Sequence, residues 1–266
     1  MNRLAPLALL VGLVAASCSG GGNSNGILPQ ATTGNSQSQS VMTRSPEASA
    51  DNSWAQPYQG FFPQGAGPNL TGGAAGSYAY AIAATKVAPI PKIGPLCNTN
   101  TASDGSNAIQ LYLLNRQIAA PAAYAGYTTK RTSTSLSTES VADVDHANLL
   151  SGLITADAIK AVALSYGTSS GMNSTAKYSE IANIKVTGVV IPNPIPLNFH
   201  VSIPLVGDLF LNSQATYQNG TSTRAVAQAL QLNITVLGGI LGLPQGTSII
   251  IAHAESSFDK GNTCVF

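Results

Sequence analysis

The chain has 266 residues, of which 44% are hydrophobic and only 9% charged, with a formal net charge of +1. That length and apolar content can fill a sizeable core in one or two domains. So little charge, with Lys and Arg scattered rather than arrayed in a basic stripe, excludes nucleic acid as a partner and leaves solubility to Ser, Thr, Asn and Gln.

Residues 1–17 read as a secretory signal peptide. Arg3 supplies the positive start, residues 4–16 are apolar, and Ala15, Ala16 and Ser17 place small side chains directly before Cys18. This arrangement resembles the lipobox of bacterial lipoproteins, although Ala15 stands where Leu or Val is commoner. The resemblance implies cleavage before Cys18 and attachment of lipid to its sulfur; ordinary signal cleavage with a free Cys18 is the alternative. The apolar run is too short for a stable spanning helix, and no later stretch reaches the about 18 apolar residues that one requires. The expected product is anchored to the cell envelope by an N-terminal lipid, at the cell surface or on its periplasmic face.

With Cys18 set aside, Cys97 and Cys264 remain as an even pair in an oxidising compartment, and they are expected to form a disulfide. Two buried thiols are the alternative, and two cysteines without clustered partners make a poor zinc site. Residues 18–75 form a tether rich in Ser, Gly, Asn and Gln, without the apolar period needed to bury a core. Trp54, Tyr58, Phe61 and Phe62 interrupt it as an aromatic cluster. They suit either a latch onto the domain's own flank or a segment that stacks on sugars or a partner.

From residue 76 to residue 266 the pattern is that of a β domain. Tyr78, Tyr80 and Ile82 alternate with Ala79, Ala81 and Ala83, and Ile109, Leu111 and Leu113 repeat the period. Pro89, Pro91 and Pro95 confine their segment to a sheet edge or a loop, and Pro192, Pro194, Pro196 and Pro204 mark another such segment. Residues 155–166 are ambiguous between a strand and a short helix capped by Thr155 and stopped by Gly167, and the neighbouring composition favours strand. Asn219-Gly220 is a hairpin signal. In residues 225–236, alternation places Val226, Leu230, Leu232, Ile234 and Val236 on one face and Ala225, Ala227, Ala229, Gln231, Asn233 and Thr235 on the other. A Gly-rich turn leads from there to residues 247–258, with Ile249-Ile250-Ile251, and the two segments are expected to be paired core strands. The form Asn-Ile-x-Val-x-Gly recurs at Asn183 and Asn233 with uneven spacing, so an irregular β-solenoid is the alternative to an antiparallel β-sandwich-like domain.

Several of these segments, in order, resemble the choice-of-anchor P proteins. They are Tyr78-Ala79-Tyr80, residues 152–158, residues 182–188, residues 232–236 and, most specifically, residues 246–256. The resemblance covers about residues 76–266 and implies a secreted bacterial surface domain with strands at these places. It brings no catalytic residues with it.

Candidate chemistry is sparse. Gly167-Thr168-Ser169-Ser170-Gly171 matches the nucleophile-elbow pattern, and Asp208 and His253 follow in α/β-hydrolase order. No helical stripe follows Ser169, so a Ser/Gly-rich loop explains the motif better. Asp143 and Asp145, beside His146, and His253 with Glu255 are i, i+2 pairs that project from one face of a strand. Brought together on adjacent strands, they would suit calcium or a transition metal. His200, flanked by apolar residues, reads as structural. No cofactor is expected. The sequence leads to a non-enzymatic, lipid-anchored envelope protein that binds matrix, glycan or another cell surface. A surface hydrolase using Ser169 or the His253/Glu255 pair, and a calcium- or glycan-binding module, are its rivals.

Overall fold

A computed structural model describes residues 68–235 and 243–266. Thirteen strands run through these residues, and no helix occurs among them. They are β1 (Ala74–Ala84), β2 (Val87–Asn98), β3 (Ala102–Leu113), β4 (Ile118–Arg131), β5 (Ser135–Leu149), β6 (Ile154–Thr168) and β7 (Met172–Ala182). There follow β8 (Lys185–Val186), β9 (Val189–Val190), β10 (Phe199–Ile203), β11 (Gly207–Gln218), β12 (Ser222–Ile234) and β13 (Ser248–Asp259).

All pairings are antiparallel. One sheet has the order β10-β11-β12-β13-β1-β2, and the other has β3-β4-β5-β6-β8-β9 with β7 also on β6. The two sheets pack face to face, β13 against β5 and β6, β12 against β6 and β7, and β1 against β4 and β5. This is the expected β-sandwich and neither a solenoid nor a closed barrel. β1 starts at Ala74, and Leu70 packs against the small cluster of Ala75, Leu136 and Phe258.

Residues 154–168 form a central strand, not a helix. Its inward Ile159, Ala161 and Ala163 are buried, but so are Val162 and Leu164 on the outer face. A strand buried on both faces loses its period of two, which is why the sequence left a helix open. The prolines behave as expected: β2 and β10 are the two edges of the six-stranded sheet, where a missing N–H costs no ladder bond. The Asn219-Gly220 hairpin joins β11 to β12, but neither residue takes a positive φ. Instead the Asn219 side chain accepts hydrogen bonds from the amides of Thr221 and Ser222, and its own amide donates to the Ser222 carbonyl.

The core is built from small side chains. Ala79, Ala81, Ala225, Ala227, Ala252 and Ala254 are fully buried, while the tyrosines of β1 face outward. The expected partition of β12 is therefore corrected: Ala225, Ala227 and Ala229 lie in the same core as Leu230, Leu232 and Ile234. The cause is an exchange of faces partway along the strands. Ala252 takes φ 55°, so Ile251 and Ala254 both reach the core, and their partners Leu230 and Ala227 follow them across β12.

Near the end of the sandwich where the described chain begins, the sheets are joined by hydroxyls rather than hydrocarbon. Thr129, Thr138, Ser165 and Ser174 form one row across β4 to β7. Thr138 Oγ1 shares hydrogen bonds with Thr129 Oγ1 (3.0 Å) and, across the gap, Ser77 Oγ (2.6 Å). Ser165 meets Ser256 at 2.8 Å, and Ser174 meets Thr223 at 2.7 Å. Every hydroxyl in this belt is buried and partnered, so desolvation is offset and the two sheets are held in one lateral alignment. Below the belt, Phe258 fills a small second cluster with Ala75 and Leu136.

Candidate functional site

The alternation that sends alanines into the core sends Tyr78, Tyr80, Arg224, Gln228, His253 and Glu255 to the outer face of the six-stranded sheet. Antiparallel register then aligns them: Tyr80, His253 and Gln228 form one row, and Tyr78 and Glu255 form the next. Tyr80 and His253 stack with ring centroids 4.6 Å apart and planes 12° apart. Tyr78 meets both rings edge-on, at 5.5 Å from Tyr80 and 5.8 Å from His253, with Lys92 Nζ 5.6 Å from its own ring centre. Arg224 Nε lies 2.7 Å from Glu255 Oε1, and His253 Nε2 lies 3.8 Å from Glu255 Oε2.

The electrostatics of this cluster favour recognition over proton transfer. Burial by itself would raise the Glu255 carboxyl, but hydrogen bonding and charge from His253 and Arg224 outweigh it and hold the group below the usual carboxylate range. Burial pushes the Tyr80 and Tyr78 phenols upward, reinforced by the Glu255 charge. At neutral pH the site therefore presents a fixed carboxylate–guanidinium pair beside neutral phenols and ring edges. An ionised, salt-bridged Glu255 is a poor general acid. The sequence made His253 and Glu255 visible as an i, i+2 pair. Arg224, Tyr78 and Tyr80 became site residues only through the register.

The other candidates are dispersed. Ser169 lies in the hairpin turn between β6 and β7, not in a strand-to-helix elbow, and its hydroxyl donates to the Pro68 carbonyl at 3.0 Å. Asp208 is engaged by His200 Nε2 at 3.1 Å, and the His200 ring stacks on Phe210 at 4.6 Å. Ser169, Asp208 and His253 thus have separate surroundings. Asp143 and Asp145 project outward from β5, in the opposite sheet from His253 and Glu255, so the two pairs face away from each other across the sandwich. Among the described residues, no group of three His, Cys, Asp or Glu side chains stands close enough to hold a metal ion. His146 is exposed beside them with φ 48°. Cys97 and Cys264 form the expected disulfide, Cα atoms 5.6 Å apart across a sequence separation of 167. Cys18, Trp54, Tyr58, Phe61 and Phe62 lie outside the described residues.

Asp143 has a distinct chemistry. It faces Tyr124 on β4 and Lys160 on β6, with Glu180 one strand further on. Burial pushes its carboxyl up to about 7; Lys160 opposes that shift and Asp145 adds to it. A carboxyl raised on folding favours the folded state while protonated, so its contribution is full below the unfolded value near 4 and is lost as pH rises through 7. Asp143→Asn is expected to flatten that dependence, with a gain on the order of 2 kcal/mol relative to wild type at pH 8 and none at pH 4. Urea unfolding at the two pH values measures it, and parallel pH profiles for both proteins would contradict the assignment.

No protein-family model matches the chain, nor does any curated protein or solved structure.

Proposed function

We propose that this chain is a lipid-anchored bacterial envelope protein whose sandwich domain serves a structural or adhesive role, binding matrix, glycan or another cell surface. The observation that carries this reading is the cysteine assignment. The sequence contains three cysteines, and Cys97 and Cys264 are joined to each other, which leaves Cys18 at the end of the apolar leader for lipid. A long-loop disulfide in a weakly charged all-β domain also suits an oxidising, extracytoplasmic compartment. The resemblance to choice-of-anchor P proteins supports the same placement. The contact surface assigned to the adhesive role is the outer face around Tyr78, Lys92, Arg224 and His253, where ring edges and fixed charge stand together on a rigid sheet.

Protease treatment of intact producing cells tests the role. With an antibody against the domain, the proposal expects release of the domain from whole cells. Protection until the cells are lysed would place the domain inside the envelope and rule out adhesion.

A further inference from the structure

The strands run between two ends of the sandwich that differ in character. At one end the described chain enters, with the Leu70 amide donating to the Ser133 carbonyl, and the Cys97–Cys264 bond closes. At the other end are the β1–β2 turn at Thr85 and Lys86, the β3–β4 turn at residues 114–117, the β5–β6 turn at residues 150–153, the β8–β9 turn at Thr187 and Gly188, and the β10–β11 turn at residues 204–206.

This second end displays side chains that neither conformation nor packing explains. Leu205 is 65% exposed and takes φ 64°, a backbone position that ordinarily selects Gly or Asn. Val189 (64%) and Val190 (54%) stand on the outermost strand beside the Thr187-Gly188 turn, and Tyr112 (61%) precedes the β3–β4 turn. Cations accompany them. Lys86, Arg116 and Lys185 are exposed at or beside these same turns, and among the described residues none has a carboxylate within salt-bridge distance. Arg116 lies over the Tyr112 ring at 5.3 Å. The acids nearest in sequence to this end, Asp157 and Asp208, are engaged by Asn183 and His200. Between Lys185 and Arg224 the sole charged residue is Asp208, and between Arg224 and Glu255 there is none.

We propose that this end of the sandwich docks on an anionic lipid bilayer, with Leu205, Val189 and Val190 entering the headgroup boundary, Tyr112 lying at the interface, and Lys86, Arg116 and Lys185 meeting lipid phosphates. Three properties select lipid over a protein partner. The apolar side chains are separate tips on different turns, spread over a sheet about 25 Å wide, rather than one contiguous patch. Lys185 is paired with Val190 and Arg116 lies over Tyr112, and no described acid forms a salt bridge with either, so cations accompany the valine and tyrosine tips as an anionic leaflet requires. An aromatic ring beside a cation and aliphatic tips matches the layered polarity of a membrane interface. The proposal rests on the described residues alone and holds whether or not Cys18 carries lipid.

The test uses the full chain with Cys18→Ser, so that no N-terminal lipid contributes, and with Trp54→Phe, so that a new tryptophan is the only one. On phosphatidylcholine vesicles containing phosphatidylglycerol, the Leu205→Trp chain is expected to shift its emission to the blue and to be quenched by brominated acyl chains. A Tyr217→Trp chain, with its reporter near the other end of β11, is expected to show neither effect. Adding Lys86→Gln, Arg116→Gln and Lys185→Gln is expected to move the quenching to about hundredfold higher vesicle concentration. Unquenched Leu205→Trp emission, or quenching that the three neutralisations leave unchanged, overturns the proposal. A blue shift that follows protein concentration without vesicles assigns the tip to a second copy of the chain and overturns it equally.

Discussion

Replacing Cys97 and Cys264 together by serine is expected to lower the free energy of unfolding by up to about 5 kcal/mol, the loop-closure figure for so long a ring. The structure gives two reasons for a large effect. Constraining 167 residues of the unfolded chain removes much of its entropy, and the bond also acts locally in the folded state. β2 is an edge strand held on one side only, and Pro89, Pro91 and Pro95 deprive it of amide donors. Residues 260–266 follow the last strand with no sheet partner of their own. The bond pins these two weakly held segments to each other beside Gly76, the residue paired with Cys97 in β1. Urea unfolding of wild type with and without reductant, alongside the double serine variant, measures the effect. Equal midpoints for oxidised and reduced protein would contradict it.

Gly167 is a position where a single added carbon is expected to be strongly destabilising. It lies in β6 between Leu136 and Met172, facing the opposite sheet, and a β-carbon there would overlap the ring of Phe258 from β13. Phe258 is fully buried, so its ring has no solvent to retreat into. Gly167→Ala is expected to cost about 3 kcal/mol, the upper range for overpacking, and Gly167→Val to prevent folding. Phe258→Ala by itself is expected to cost about 4 kcal/mol through the cavity it leaves. Because both changes act on one shared volume, the double variant is expected to be markedly more stable than the sum of the two losses predicts. Strict additivity would show that the ring and the glycine do not compete for that space.

Legibility in the sequence followed the physics of each segment. β12 and β13 stood out because half-buried strands alternate and the Ile249-Ile250-Ile251 run marks a core. The edge position of β2 followed from its prolines, and the disulfide followed from the pair of cysteines that remains once Cys18 is set aside. β6 stayed ambiguous because Val162 and Leu164 are buried on its outer face, which erases the alternation that separates strand from helix. The facing of Ala225, Ala227 and Ala229 departs from simple alternation because the exchange of faces at Ala252 depends on backbone conformation in a neighbouring strand. The belt of Thr129, Thr138, Ser165 and Ser174 was hidden for a related reason: four unremarkable hydroxyls become a row only once the register of four strands is known. At the candidate site, His253 and Glu255 could be paired along one strand. Arg224 and the two tyrosines come from strands far away in sequence, so their approach is a property of the sheet.

Cys97 and Cys264 close the sandwich, and lipid on Cys18 is the part of the proposal that remains to be tested. Metabolic labelling with palmitate, comparing wild type with Cys18→Ser in the producing cell, tests it directly. Wild type is expected to take up label and fractionate with membranes, and Cys18→Ser to lose both properties. Label that survives the substitution, or wild-type chain that takes up none, would contradict the proposal.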